Sequence, residues 1–409
     1  MSGWRALGKS IVLVALLAGT AWAQGETGDE VSPIDSTSDF GFQEFPDTQT
    51  SEEPPALEGA IHYGPYLHYN RVDQWALGID MGFRPAAGWY PRWNVRVVHA
   101  FNRGHRGLYV LEGAQPLLSR RRLLVGAQVR RFTDTEDEWR APGFENFLSA
   151  FLFHFDNRDY FEARGTTIFA EGRPAPSLGA WLGYSDLEIE SIPNLAPGSR
   201  SAFRRDEPWR PNPPVEEGVE RLVRGEITVE GRDNQAAPRR GGWLRLGVQS
   251  TGPKLKSDFL FTRYEAEARG YVPLGPSMRF KTRVWAGTTG AGTLPSRKDF
   301  AVGGISTLRA HPFKERRGDH VFLVNSEYAV QVWRGRQRSG VKTNVWLLAF
   351  SDLGQAWDAP AYDLAHQRLA WDGGVGVAIA DGRLSVYGAH DLHDGDAGIV
   401  WSVRLASPF

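Results

Sequence analysis

The chain has 409 residues, with no cysteine, 15 tryptophans, 46 glycines and a formal net charge of -1. The lack of cysteine excludes disulfides, thiolate metal sites and cysteine nucleophiles, and beyond the N-terminal residues no apolar run approaches the ~20 residues of a membrane-spanning helix. A mean hydropathy of -0.38 with 12% aromatics leaves either a soluble protein or one that crosses a membrane by strands, whose alternate polar residues dilute the average.

In chain order, MSGWRALGKSIVLVALLAGTAWAQ carries Arg5 and Lys9, an apolar run from Ile11 to Ala18 and the small-x-small triplet Ala21-Trp22-Ala23. This is the pattern of a secretory signal cleaved before Gln24, so residues 1–23 are expected to be a signal peptide. From Gln24 to Ala60 every charged residue is acidic. Low hydrophobicity with charge of one sign predicts an acidic, disordered leader over 24–61 and leaves residues 62–409 net basic.

From Asp73 onward an alternating pattern recurs. In VDQWALGIDMGFR, Trp75, Leu77, Ile79, Met81 and Phe83 share one face. In MRFKTRVWAG, Met278, Phe280, Thr282, Val284 and Ala286 oppose Arg279, Lys281, Arg283 and Trp285, a second face too charged to be a core. A two-residue period means strands with unlike surroundings on their two faces. Candidate strands of about ten residues, the length of a tilted bilayer span, fall at 74–84, 92–101, 106–116, 121–131, 146–157, 158–170, 175–186, 219–231, 240–250, 258–271, 276–288, 321–333, 341–354, 370–380, 383–391 and 397–408. Sixteen strands with both ends on one side put the long connections 187–218 and 289–320 outside, and the turns at 272–275 and 381–382 inside. This predicts an all-β, 16-stranded antiparallel transmembrane β-barrel. One long connection, 132–145, falls on the short-turn side in this register. The closing strand, GIVWSVRLASPF, places Ile399, Trp401, Val403, Leu405 and Phe409 on its apolar face.

The stretch FAVGGISTLRAHPFKERRGDHVFLVNSEYAVQVW, followed by WLLAFSDLGQAW, resembles the BamA/TamA-type barrel of the bacterial surface antigen family. YNRVDQWALG and TDTEDEWRAPGFENFLSAFLFHFDNRDYFEARG are similar to barrels of the same family. The resemblance implies a loop after the eleventh strand that folds back into the lumen and carries an aliphatic-Arg-Gly-aromatic tip. An acidic residue on the next strand and a Phe-x-Asp-x-Gly on the one after receive the arginine. In this sequence the latch is then Arg309, Glu327 and Asp352, with Gly303, Gly304, Leu308, Phe313, Phe350 and Gly354 in support. The chain departs from the pattern at Ala310, where the family has glycine, and at His311, in the aromatic position. Phe409 is similar to the C-terminal aromatic read by the outer-membrane assembly machinery. Independently of the resemblance, the parity of their strands turns Glu327 and Asp352 to the lumen. Two inward carboxylates on adjacent strands suit a planar, permanently charged guanidinium.

The implied activity is insertion or transport of protein or lipid at the bacterial outer membrane, through a weak seam between the first and last strands. A form without periplasmic POTRA domains is expected. The implied partners are outer-membrane lipid, unfolded barrel or lipid clients, and a periplasmic protein or lipoprotein acting in trans. A homodimer stays open, and nothing points to nucleic acid. The other reading is a passive pore or structural barrel, in which Arg245, Arg279, Lys281 and Arg283 bias the lumen toward anions. No catalytic motif, metal site or cofactor motif occurs in the mature chain, and HDLHDGD at 390–396 reads as a solvated rim turn, so enzyme activity and cofactors are not expected.

Overall fold

The computed structural model describes residues 61–405 apart from 86–88, 103–105, 119–121, 194–207, 236, 336, 339–340, 343, 359–361 and 380–383. The expected signal peptide, the acidic leader up to Ala60 and the terminal Phe409 lie outside the described residues.

Sixteen strands form one antiparallel sheet. They are β1 (Ile61–Asn70), β2 (Gln74–Phe83), β3 (Arg92–Ala100), β4 (Arg106–Pro116), β5 (Leu123–Asp134), β6 (Phe161–Ala175), β7 (Leu178–Ser191), β8 (Gly218–Glu230), β9 (Gly241–Thr251), β10 (Phe261–Gly275), β11 (Met278–Gly292), β14 (His320–Trp333), β17 (Val345–Trp357), β18 (Ala370–Ile379), β19 (Leu384–Asp391) and β20 (Val400–Arg404). Two short pairs, β12 (Phe300–Val302) with β13 (Arg316–Gly318) and β15 (Gln337–Arg338) with β16 (Val341–Lys342), decorate the connections before β14 and β17.

The count agrees with the sequence reading, but its membership does not. β1 was not foreseen: Gly64 and Pro65 interrupt its pattern, and proline sits within a sheet essentially only on an edge strand, which is where β1 lies. The strand expected over 146–157 is instead an α-helix, Gly143–Phe153. Phe147, Phe151, Phe153 and Phe155 satisfy a period of two, yet Phe144, Phe147, Leu148 and Phe151 satisfy the helical period equally, and a short apolar run does not decide between them. The ends decide it. Pro142 precedes the first turn, and His154, at φ 64°, closes the last by donating its N–H to the Ala150 carbonyl. With both corrections the connection 135–160 follows an odd-numbered strand. It therefore leaves the same sheet edge as 192–217 and 293–319, and the anomalous long turn on the other edge disappears.

One face of the sheet is buried and the other is apolar and exposed. Along β2, Ala76 is 2% exposed, whereas Leu77, Ile79 and Met81 are 44%, 55% and 39% exposed. On the buried side, Phe300, Val302 and Leu308 from the connection 293–319 join Leu222, Phe261, Trp285, Val321 and Leu323 in the largest apolar cluster. The closed cylinder expected from sequence is not observed as a ladder: β1 and β20 end the strand order, and no backbone pairing joins them among the described residues. β20 offers little to pair with, being 5 residues long against 15 in β10 and β11.

Candidate functional site

The connection 293–319 is shaped by its own backbone before it meets the sheet. Gly303 and Gly304 hold φ of +116° and +84°, a region open to glycine and strained for residues with a Cβ; at Gly303 a Cβ would also stand 2.2 Å from the Pro312 carbonyl oxygen. The Gly304 N–H donates to the carbonyls of Leu308 and His311 at 3.0 and 2.9 Å, and the Gly303 N–H donates to Thr307 Oγ1 at 2.9 Å. The result is a compact tip that presents Leu308 and Arg309 together. Leu308 is fully buried in the apolar cluster, which fixes where the neighbouring guanidinium points.

Register on the sheet supplies the receptor. Asn325 of β14 stands opposite Asp352 of β17, which stands opposite Asp372 of β18. One step along, Lys281 of β11 faces Glu327 of β14, and Glu327 faces Phe350 of β17. Arg309 lies over these two rows. Its Nε and Nη2 donate to Asp352 Oδ2 and Oδ1 at 2.7 and 2.8 Å, a bidentate pair with both partners buried. Glu327 is a secondary counter-charge, 3.6 Å from Nη1. Its nearer contacts are Lys281 Nζ at 2.9 Å and the Tyr387 hydroxyl, which donates at 3.1 Å. The guanidinium carbon sits 3.6 Å from the Phe350 ring centroid and 4.9 Å from that of Tyr387, so aromatic faces wall the cation beside its carboxylates.

The structure thus brings Arg309, Glu327, Asp352, Leu308 and Phe350 to one place. Gly354 serves from a distance: a Cβ there would lie 2.8 Å from both the Phe322 carbonyl oxygen and Leu323 Cδ1, so its bareness lets β14 and β17 pack beside the site. Phe313 is not at the latch; it lies near the guanidinium groups of Arg140 and Arg210, 5.5 and 4.5 Å from its centroid. The departure at Ala310 carries no strain, since positive φ occurs at Gly303, Gly304 and Ser306 instead. His311 pairs with Glu315 at 2.9 Å.

Sequence reasoning missed Asp372 and Asn325. The Ala310 N–H donates to Asp372 Oδ2 at 2.8 Å. Asn325 Nδ2 donates to Asp352 Oδ1 and to the Thr307 carbonyl, both at 2.8 Å, joining carboxylate and loop. Both residues lie on the inward parity of their strands, and that parity was the available signal. The expectation of an unbalanced basic lumen is corrected: Arg245 pairs with Glu265 and Glu267 at 2.8 and 3.2 Å, Lys281 with Glu327 at 2.9 Å, and Arg283 with Glu267 at 2.8 Å.

The limbs of the loop are pinned as well. Lys298 Nζ donates to Glu136 at 2.7 Å, Arg297 pairs with Glu220, and Lys314 bridges Asp137 and Asp159 at 2.6 and 2.9 Å. Burial alone would raise the Asp159 carboxyl, but Lys314, Arg210 and Arg71 outweigh it and hold it well below the usual carboxylate range.

Residues 219–384 match the model of the Omp85 superfamily domain, a span that runs from β8 into β19 and contains the loop and every carboxylate of the latch. No curated protein matches the chain. Among solved structures, the chain is similar to BamA from Haemophilus ducreyi lacking POTRA domains 1-3, at 12% identity and a TM-score of 0.59 over 85% of this chain and 70% of that one. It is also similar to CdiB from Escherichia coli (13% identity, 85% and 63% coverage, TM-score 0.46) and to CdiB from Acinetobacter baumannii (9%, 85% and 65%, 0.44). The first of these shows the fold, and the domain match covers the part of it from β8 into β19.

Proposed function

We propose that this Omp85-type sheet closes in the Gram-negative outer membrane into a barrel whose lumen holds the loop 293–319, and that it assists insertion or translocation of protein or lipid there. The observation that carries the reading is the bidentate Arg309–Asp352 pair with Glu327 beside it, the arrangement that the family resemblance implies. The exposed face supports the membrane setting: Leu67, Ile79, Val97, Ile168, Leu182, Leu347 and Val375 are all at least half exposed, an apolar surface that water would not favour and lipid would. The three longest connections, 135–160, 192–217 and 293–319, all leave the same edge, which agrees with this orientation. The passive-pore reading loses its charge argument, because three of the four cations assigned to an anion path are matched by carboxylates.

The test is reconstitution of the refolded protein in lipid vesicles, with the folding rate of a denatured barrel client measured against empty vesicles. Acceleration that Arg309→Ala reduces supports insertase activity dependent on the latch. A client that folds no faster than in empty vesicles, beside a measurable ion conductance, supports the pore instead.

A further inference from the structure

β1 and β20, the two strands that end the sheet with no ladder between them among the described residues, are both approached by the helix Gly143–Phe153 of the β5–β6 connection. Its grip on β1 is apolar. Phe151 meets Tyr69 of β1 and Trp75 of β2 edge-on at 5.6 and 5.2 Å, and Tyr69 and Ala150 are fully buried together. The β1–β2 turn is held further by the residues after the helix, the Arg71 N–H donating to Asp156 at 3.0 Å and Asn146 of the helix donating to the same carboxylate at 3.1 Å.

The grip on β20 is one carboxylate. Glu145 Oε1 accepts from Arg404 Nε at 2.6 Å, and Oε2 accepts from the Leu405 N–H at 2.9 Å. Arg404 is 2% exposed. It also donates to Ser306 Oγ at 2.7 Å and to the Arg140 carbonyl at 3.1 Å, so the same side chain touches the latch loop three residues before Arg309. In the sheet itself, among the described residues, β20 is held only by its short register with β19, Ser385 to Ala389 opposite Arg404 to Val400.

We infer that the helix Gly143–Phe153 is a clasp across the seam between β1 and β20, fixed to the first hairpin by aromatic packing and to the last strand by Glu145, and that Glu145–Arg404 is the link whose release frees β20. The clasp rests on the barrel reading of the sheet, not on insertase activity. Because the β1 side is packed and the β20 side hangs on charge-assisted hydrogen bonds, the seam opens on the β20 side. Arg404 makes that opening responsive to the loop that carries Arg309.

The cysteine-free chain allows a clean test. Spin labels at Leu67→Cys and Val403→Cys, both outward-facing, report the seam, and amide hydrogen exchange reports each strand, in wild type, Glu145→Gln and Glu145→Ala. The clasp predicts a narrow label distance in wild type. In the variants it predicts a broadened distance and exchange at 400–405 faster by about tenfold or more, as for loss of a charge-assisted hydrogen bond, with β10 and β11 unchanged. If Glu145→Ala impairs folding, Glu145→Gln carries the comparison, and Glu145→Arg with Arg404→Glu should restore protection. Unchanged exchange at 400–405 with a narrow wild-type distance overturns the clasp alone. A broad distance already present in wild type overturns the closed cylinder and the clasp with it.

Discussion

The latch and the seam are both charge pairs buried on the inner face, yet they stand on different foundations. Arg309 meets Asp352 over the middle of an unbroken ladder, with β14 paired to β11 and β17 along most of its length. Arg404 meets Glu145 where the ladder ends, on a strand of 5 residues. The first pair holds a loop against a rigid wall, and the second holds a sheet edge against a helix. Similar chemistry therefore fixes one part of the molecule and leaves the other releasable. Arg404 joins them through Ser306 and Arg140, so the two regions are not independent.

The sharpest way to break this contrast is to remove the latch carboxylate. Asp352→Ala leaves Arg309 buried without its bidentate partner, with Glu327 at 3.6 Å and Asp372 on the neighbouring strand as the remaining carboxylates, and should cost about 3–5 kcal/mol of unfolding free energy, measured by urea titration of the refolded protein. A loss under about 1 kcal/mol would mean that the guanidinium is solvated and the wall is no receptor. Gly354→Ala tests whether the wall itself matters: a Cβ there meets the Phe322 carbonyl oxygen at 2.8 Å, and the strain should cost about 1–3 kcal/mol, with exchange rising in β14 and β17 and not in β20.

The smallest expected effect concerns pH at the entry to the loop. Asp299 is half-buried, and although Arg317 opposes it, burial together with Asp319, Asp358 and Glu216 lifts its carboxyl from 3.8 to about 7. The folded state thus binds this proton more tightly than the unfolded one. The associated stability is present below the unfolded value and is lost as pH rises through about 7. Lowering the pH from about 8 to about 5 should tighten the segment 296–302 against proteolysis, and Asp299→Asn should flatten that dependence. An unchanged pH profile in Asp299→Asn would assign the effect elsewhere.

The latch residues could be assigned from the family resemblance because the motif's parts are local, and strand parity independently turned its two carboxylates inward. Gly303, Gly304, Leu308 and Arg309 sit within one loop, while Glu327 and Asp352 occupy inward parities of the next two long strands. Asp372 escaped notice because only register brings it beside Asp352. The clasp was illegible for a stronger reason: Glu145 and Arg404 are 259 residues apart, and Glu145 belongs to a segment that ends against the expected strand 146–157. The aromatics there fit both periods, and the left-handed His154 that closes the helix settles the choice only in three dimensions. β1 was hidden by Pro65, a residue compatible with an edge and misleading without knowledge that an edge is there. The two misreadings cancelled in the strand count, which is why the loop after the eleventh strand was still found in its place.

The central claim is that a strand-borne carboxylate holds the loop through Arg309, and a double-mutant cycle on Arg309→Met and Asp352→Asn tests it most directly. If the pair is the latch, the double variant is no less stable than the weaker single one, with a coupling of about 2 kcal/mol or more. Losses that simply add would contradict it, showing that the two side chains stabilise the protein separately.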